Sequence, residues 1–587
     1  MSRDGQHPGG GFAHWLRERS DAELTALLAA RPDLVTPVPA DIGALAARAA
    51  RRLSLERALD DLDQFSLHVI EVLLACQAGV PAAGLEEVLH APPGPLSRCL
   101  AGLCARALAW QTADGFLPAP GLRDILGEPS VPAAPGRVSP APPALGGIPN
   151  GSRGVDQAAA AAALGALRSV ADLLSHWAAA PPPVLRSGGL GIRELRRAAA
   201  SVGVDLAAAA LFTEVARGAG LLAASSWSDG QWFPAHAFDT WLDRPHAERW
   251  AEIVSAWLAT TRMPCLVGSR DEGGRVLNVL GTGLDRIDAP RVRARVLGEL
   301  AAAAPGTSVS AGAMVRRLAW LWPRRPQEPQ ATLAAAAMRE AAMLGLTGLG
   351  ALATHGRAAV SAGMAQAAAT LAAILPQPVG HVLLQADLTA VAPGPLTAGL
   401  ARELALAADV ESRGAATVYR FSTGSVRRAM DAGHTGDSLL AMLAERSRTP
   451  VPQPLRYLIE DVARRHGSIR VGAASAYIRC DDPAVVAEIA ADRRAARLRL
   501  RQIAPTVLVC ATRRSEVLAV LRRLGYAPAA ESADGTVEIT ASAAGRAGGG
   551  TDGFHACAPD QREPCAPWPV QERALAAVRV LRSSGTG

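Results

Sequence analysis

From residue 20 to residue 126 apolar positions recur every three or four residues and are interrupted by Pro and Gly, the period of short amphipathic helices. Ser20-Asp21-Ala22-Glu23 has the form of a capping box and predicts a helix running through Leu28, with Pro32 as its stop. Further helices are predicted at about Leu55 to Gln64 and Ser66 to Gln77. The pattern then becomes more specific. A helix starts near Gly84-Leu85-Glu86-Glu87-Val88, another covers about Pro95 to Arg106, and Leu108 to Thr112 is extended. Asp114-Gly115 supplies a hairpin turn and Phe116-Leu117 the return strand. Two helices and a hairpin are the layout of a winged helix.

The same order recurs further on. Gly191-Ile192-Arg193-Glu194-Leu195 starts a helix, Asp205 to Arg217 forms the second, and Leu221 to Ala224 with Trp232-Phe233 makes the wing. A third, weaker copy reads as Ala311 to Trp320, Ala331 to Met343, then Leu344 to Leu346 and Ala351 to Ala353 around a glycine turn. Between the second and third copies, Trp250 and Trp257 fall seven residues apart on one helical face, a spacing that favours packing over a partner surface.

From Gln377 to Tyr526 the grammar alternates strands and helices. Strands are predicted at Val379 to Leu388, Thr417 to Phe421, Ile469 to Val471, Ala476 to Arg479 and Thr506 to Cys510. Helices are predicted at Leu396 to Ala408, Gly424 to Ala432, Asp437 to Glu445, Leu455 to Arg465, Pro483 to Ala491 and Arg514 to Leu524. The expected fold class is mainly α with tandem winged-helix units, followed by an α+β domain. The expected divisions are 1–126 (first winged helix), a Pro/Gly linker at 127–154, 155–265 (second winged helix), 266–376 (possible third), the α+β domain at 377–540, and a flexible Gly/Pro-rich tail at 541–587.

Composition changes the picture at one point: the chain of 587 residues contains no Lys, so all 60 basic side chains are Arg. A P-loop needs a Lys to reach the β- and γ-phosphates, and a Schiff-base enzyme needs an amine, so both chemistries are excluded. Apolar runs are broken by Arg, Gly or Pro within a few positions, so no membrane span is expected, and the N-terminus lacks a secretory pattern, which makes the cytoplasm the expected compartment. The eight cysteines show no metal or disulfide spacing, and His555, Cys557 and Cys565 lack a fourth ligand in register.

Other chemical candidates have simpler explanations. Gly348, Gly350 and Ala353 match a loose dinucleotide fingerprint, but the segment follows a helix and not a strand. Asp481-Asp482 and Glu86-Glu87 are paired carboxylates, yet Asp482 precedes Pro483 where a helix cap is expected. His466 beside Arg464 and Arg465 suits a solvated helix end better than a phosphate contact. The helix Asp205 to Arg217 is too rich in Ala to read a DNA groove. No catalytic residue, cofactor, metal or small-molecule substrate is expected. Charge is distributed unevenly: residues 377–526 hold 21 Arg against 14 acidic residues, whereas the remainder is close to neutral. Arg427, Arg428, Arg464, Arg465, Arg493, Arg494, Arg497, Arg499 and Arg501 are therefore the candidate nucleic-acid-binding residues. If Asp492 to Gln502 is helical, Arg493, Arg497 and Arg501 form one stripe; if Leu498 to Ile503 is extended, Arg497, Arg499 and Arg501 alternate outward.

Several ordered motifs in this region carry a resemblance: Gln385-Ala386-Asp387-Leu388-Thr389, Ala392-Pro393-Gly394-Pro395-Leu396, Asp409-Val410-Glu411-Ser412-Arg413-Gly414, Tyr419-Arg420-Phe421, Ser425-Val426-Arg427-Arg428-Ala429, Pro452-Gln453-Pro454-Leu455-Arg456-Tyr457-Leu458, Asp461-Val462-Ala463-Arg464-Arg465-His466-Gly467 and Ala504-Pro505-Thr506-Val507. Together they resemble the helicase-associated domain on the N-terminal side of XPB-type DNA-repair helicases, as it occurs in stand-alone actinobacterial proteins. The resemblance implies a domain that sits beside a helicase motor and senses distorted DNA. The Walker A Lys of that motor is absent, and Asp271-Glu272 runs into Gly273-Gly274 in place of an acidic box. The expected function is a non-enzymatic DNA-binding accessory, with DNA or a separate helicase as partner. The alternative is a protein-interaction scaffold that binds no nucleic acid.

Overall fold

The computed structural model describes residues 11–76, 78–127, 138–225, 230–414, 416–466, 474–531, 537–538 and 570–583. They form two compact units divided after Pro378, with the C-terminal helix belonging to the first. Helices dominate, and the sheets are small and antiparallel. The strand expected at Ile469 to Val471, and His555, Cys557 and Cys565, lie outside the described residues.

In the first unit Ser20 forms the predicted capping box: the Glu23 N–H donates to its hydroxyl at 3.3 Å, and its own N–H donates to the Glu23 carboxylate at 2.8 Å. Helix α1 (Asp21–Ala30) follows and buries Leu24, Leu27 and Leu28. The helix expected over Leu55 to Gln64 lies instead at Arg52–Leu59. Asp63 adopts an extended conformation to cap the next helix, accepting from the Ser66 N–H at 2.7 Å, so no helix can run through it. Helix α2 (Gln64–Ala75) is followed by α3 (Ala82–Leu89), α4 (Pro93–Ala105), β1 (Ala109–Thr112) and β2 (Gly115–Pro118). Gly115 takes φ 129° in the hairpin turn, and Phe116 on β2 pairs with Val80 on its other side.

The long helix α5 (Ser152–Ala179) has no counterpart in the expectations above. By length and composition it is apolar enough to cross a bilayer, which corrects the reading that no such stretch exists, and half of its most apolar window is buried within the structure. Its Ala-rich face, including Val155, Ala159, Ala163, Leu167, Val170 and Leu174, forms part of the unit's core. The second module follows as α6 (Ile192–Val202), α7 (Leu206–Gly218), β3 (Leu222–Ala224) and β4 (Trp232–Pro234). Helix α8 (His246–Ala259) and helix α9 (Ala289–Ala302) precede the third: α10 (Ala311–Leu321), α11 (Gln327–Met343), β5 (Thr347–Gly348) and β6 (Ala351–Leu352). Helix α11 begins four residues before the expected Ala331, because Pro329 is tolerated in a first turn.

These stretches are not separate bodies. Trp250 Nε1 donates to the Leu344 carbonyl at 2.7 Å, and Trp257 Nε1 donates to Glu340 at 2.6 Å, so the Trp pair on α8 locks the second module to the third. Arg324 and Arg325 pair with Asp60 and Asp61, both at 3.3 Å, which ties the third module to the first. The expected linker is also anchored over its described part: the Asn150 N–H donates to the Gly306 carbonyl at 2.9 Å and Arg317 to the Pro143 carbonyl at 3.0 Å. Within the expected flexible tail, Val570–Ser583 is a helix whose Arg582 pairs with Asp21 at 2.8 Å and whose Ala574, Ala577, Val578 and Leu581 are buried.

The second unit contains two hydrophobic cores. The first is built on a sheet of β7 (Leu383–Leu384), β8 (Thr389–Ala392), β9 (Asp409–Arg413) and β10 (Thr417–Arg420), in the order β9-β10-β8-β7. Helices α12 (Ala398–Ala407), α13 (Thr423–Asp431), α14 (Gly436–Arg446) and α15 (Gln453–Arg465) complete it. The single strand expected over Val379 to Leu388 is instead a short strand and a turn. The Asp387 carboxylate accepts from the Thr389 N–H at 3.2 Å and Leu388 takes φ 68°, which folds the chain back into β8.

The second core lies in β11 (Ala476–Arg479), α16 (Pro483–Ala491), a 3-10 turn at Arg493–Leu498, β12 (Arg501–Ala504), β13 (Val507–Cys510), α17 (Arg514–Arg523) and β14 (Ala530–Glu531). The chain order from β11 to β14 is βαββαβ; β13 lies between β11 and β12 in a three-stranded antiparallel sheet, and β14 stands outside that sheet, paired with Val537–Glu538. One face of this sheet is closed: Leu508 and Cys510 are buried with Val486 and Ile489 of α16 and Val517, Val520 and Leu521 of α17.

Candidate nucleic-acid interface

The nine arginines do not form one surface feature. Arg427 and Arg428 are exposed on α13, whose other face buries Val426, Ala429 and Met430. Arg428 is engaged: it donates to the carbonyls of Leu406 (3.2 Å), Ala405 (3.3 Å) and Ala408 (3.4 Å) and pairs with Asp409 at 2.7 Å. It thereby satisfies carbonyls left open at the end of α12. Arg464 and Arg465 occupy the last turn of α15, and Arg465 pairs with Asp461 one turn back at 3.2 Å. His466 meets Asp431 at 2.8 Å, so it joins the ends of α15 and α13.

Arg493, Arg494 and Arg497 lie on the 3-10 turn, and neither predicted geometry for this segment holds as a whole. Ala495 and Leu498 are the buried residues, and their spacing of three selects a 3-10 turn in place of an α-helix. With three residues per turn, Arg493 and Arg497 are displaced by roughly 120° around the axis, so the expected stripe of Arg493, Arg497 and Arg501 is broken. Arg499 takes φ 48° and ends the turn, and Arg501 opens β12. Arg494 folds back on Asp492 at 2.8 Å, and its side-chain and backbone donors hold the Asp492 carboxyl below the usual carboxylate range. Arg427, Arg464, Arg493, Arg497, Arg499 and Arg501 are exposed and have no ion pair among the described residues.

The open face of the βαββαβ module adds residues that were not singled out in the sequence. Tyr477, Val509 and Arg501 stand in one row across β11, β13 and β12, and Arg479 is opposite Val507 in the next row along. Tyr477 is half exposed, and its hydroxyl donates to Glu531 at 2.9 Å. That carboxylate acceptor raises the Tyr477 phenol above its ordinary value, and Glu531 also pairs with Arg479 at 3.1 Å. The alternation Ala476, Tyr477, Ile478, Arg479 carried this signal, since residues two apart share a face.

The helices of the first unit present less. Ala208 through Ala216 of α7 are all buried, so that helix is a core element and cannot lie in a DNA groove. On α4, Arg98 is the one exposed charged side chain. The glycines of the loose dinucleotide fingerprint serve packing: a Cβ at Gly348 would meet the Val155 carbonyl of α5 at 2.2 Å, and Gly350 takes φ 77° in the β5-β6 turn. Asp482 caps α16, accepting from the Ala484 N–H at 2.9 Å. No cluster of His, Cys, Asp or Glu suited to a metal ion occurs among the described residues.

No curated protein matches the chain. Residues 382–504 match the family model described as a helicase conserved C-terminal domain, a stretch that includes all nine candidate arginines together with Tyr477 and Arg479. A helicase-related nucleic-acid function is the reading that this match supports.

Proposed function

We propose that the protein is a non-enzymatic, DNA-binding accessory of the XPB-type helicase-associated kind, holding DNA through phosphate contacts made by its second unit. The observation that carries this reading is a coincidence of position: the helicase-domain match, the basic excess and the exposed arginines without ion partners fall in the same stretch. Phosphate contacts fix a protein on nucleic acid without reading its sequence, which suits arginines distributed over several elements. We read the three helix-helix-hairpin modules of the first unit as winged helices whose surfaces are used mainly for packing, given the burial of α7. The absence of Lys leaves the chain without the P-loop side chain of a motor, so strand separation would belong to a separate helicase.

The test is a salt-titrated mobility shift on plain, forked and lesion-bearing duplexes. Each arginine that neutralises a duplex phosphate adds about 0.9 to the slope of log affinity against log salt. Arg493→Ala/Arg497→Ala is expected to lower that slope by roughly two units and to weaken binding at low salt without changing sequence preference. A folded protein that binds none of the duplexes would favour the protein-interaction scaffold instead.

A further inference from the structure

The geometry points to the open sheet face of the βαββαβ module as a platform for unpaired DNA, one base stacking on Tyr477 while Arg479 and Arg501 engage the flanking phosphates. An antiparallel sheet covered by helices on one side ordinarily shows polar residues on the other. Here the open side carries a half-exposed Tyr ring on the edge strand β11, partly exposed Val507 and Val509 beside it, and two arginines, and Ile503 is exposed at the bulge of β12. The Tyr477 hydroxyl is tied to Glu531, which restrains the ring and limits the entropy lost when a base settles on it.

Distances along the sheet suit a single strand. Arg501 is two strands from Tyr477, roughly 10 Å by the ordinary strand separation, and Arg479 is two residues along β11, roughly 7 Å away. Arg497 and Arg499 lead into β12 and extend the positive field beyond the row. Glu531 is the one acidic side chain bonded to this face among the described residues, and it is already shared between Tyr477 and Arg479. The charge therefore fits a polyanion, and it opposes a second copy of the chain, which would bring like-charged arginines together. Bases offer a π-face only when unpaired, which selects single strands over duplex.

This inference rests on the reading of the second unit as DNA-binding and adds to it the form of DNA and the residue that recognises it. It is tested on the full chain with fluorescently labelled oligo-dT, by anisotropy over a range of salt. Tyr477→Leu is expected to weaken binding about tenfold, because stacking on one aromatic ring is lost. Tyr477→Phe keeps the ring and should stay within about threefold of the wild type. Arg501→Gln should lower the salt slope by about 0.7, the single-strand value for one phosphate. Should Tyr477→Leu fail to fold, photo-crosslinking of iodouracil-substituted DNA to the wild type decides the matter: a crosslink in the peptide containing Tyr477 supports the platform and one confined to other peptides overturns it. A folded Tyr477→Leu variant with wild-type affinity, or a duplex of the same length that binds more tightly than oligo-dT, also overturns it. Tighter binding of oligo-rU would overturn the assignment to DNA. Loss of all nucleic-acid binding in the wild type sinks both readings. Retained oligo-dT affinity in Tyr477→Leu, alongside a lowered slope in Arg493→Ala/Arg497→Ala, sinks only this one.

Discussion

Arg293→Met should destabilise the first unit by about 3–5 kcal/mol, the usual consequence of removing one partner from a buried ion pair. Arg293 on α9 is 1% exposed and Glu340 on α11 is 4% exposed. The guanidinium donates to the carbonyls of Trp257 (2.9 Å), Arg262 (2.8 Å) and Thr260, reaches Glu340 Oε2 at 3.3 Å, and sits 5.2 Å from the Trp257 ring centroid. Glu340 keeps only the Trp257 indole as a second donor, and its Oε1 has no partner among the described residues. Burial accordingly pushes its carboxyl above the ordinary range. Without Arg293 the carboxylate is left uncompensated in the core, and three carbonyls lose a donor at about 1 kcal/mol or more each. In Arg293→Met/Glu340→Leu the stranded charge is gone while the open carbonyls remain. The double variant should therefore be more stable than the sum of its singles by about 1–3 kcal/mol. The assay is urea unfolding followed by Trp emission, which reports on one unit because all 11 Trp residues lie outside 379–564 and all four Tyr lie inside it. A single variant within about 0.5 kcal/mol of the wild type, or strictly additive changes across the cycle, would refute the reasoning.

The same Trp-detected unfolding checks two more expectations for the first unit. Gly348→Ala should cost roughly 2 kcal/mol or more, because its Cβ would stand 2.2 Å from the Val155 carbonyl and the β5-β6 hairpin would have to leave α5; a midpoint unchanged from wild type would contradict that close approach. Burial, reinforced by Arg249 and Arg168, holds the His246 imidazole down at about 4, so between its ordinary value near 6.5 and about 4 the unfolded chain takes up a proton that the fold does not. Stability should be complete above that window and fall as pH drops through it, by on the order of 2 kcal/mol after allowance for partial exposure; His246→Gln should flatten the fall, leaving the smaller contribution of His355, which burial also shifts downward. Purified protein should hydrolyse no ATP above background with or without DNA, and turnover abolished by a point substitution in this chain would show a motor site that the lack of Lys argues against.

What the sequence disclosed about the fold was mostly local. The reciprocal bonds of Ser20 and Glu23, the Asp114-Gly115 turn and the Asp482 cap depend on residues two to four apart, and each is present where the pattern placed it. Strands β8 and β9 were missed, and β12 was foreseen only as the extended alternative over Leu498 to Ile503, because residues such as Thr389-Ala390-Val391-Ala392 and Arg501-Gln502-Ile503-Ala504 gain their conformation from partners on neighbouring strands. The long helix α5 was missed for a related reason: its Ala-rich surface has little contrast between faces, and only packing in the core decides which side is buried.

The candidate site shows the same division in chemical form. Sequence reveals where guanidinium groups are concentrated, but their availability to a phosphate depends on what the fold places beside them. Arg428 is drawn to the carbonyl end of α12, Arg465 to Asp461, and Arg494 to Asp492, so each begins with a competing acceptor. For these three, a phosphate contact must displace an existing bond, and the gain is reduced by what is lost. The remaining six lack such a competitor among the described residues, which concentrates the expected affinity on Arg427, Arg464, Arg493, Arg497, Arg499 and Arg501. Their separation follows from the backbone: a spacing of three between Ala495 and Leu498 tightens the turn, and the left-handed Arg499 redirects the chain into β12. That redirection brings Arg501 into the row of Tyr477, where a charge that would have served a helical stripe is placed beside an aromatic ring.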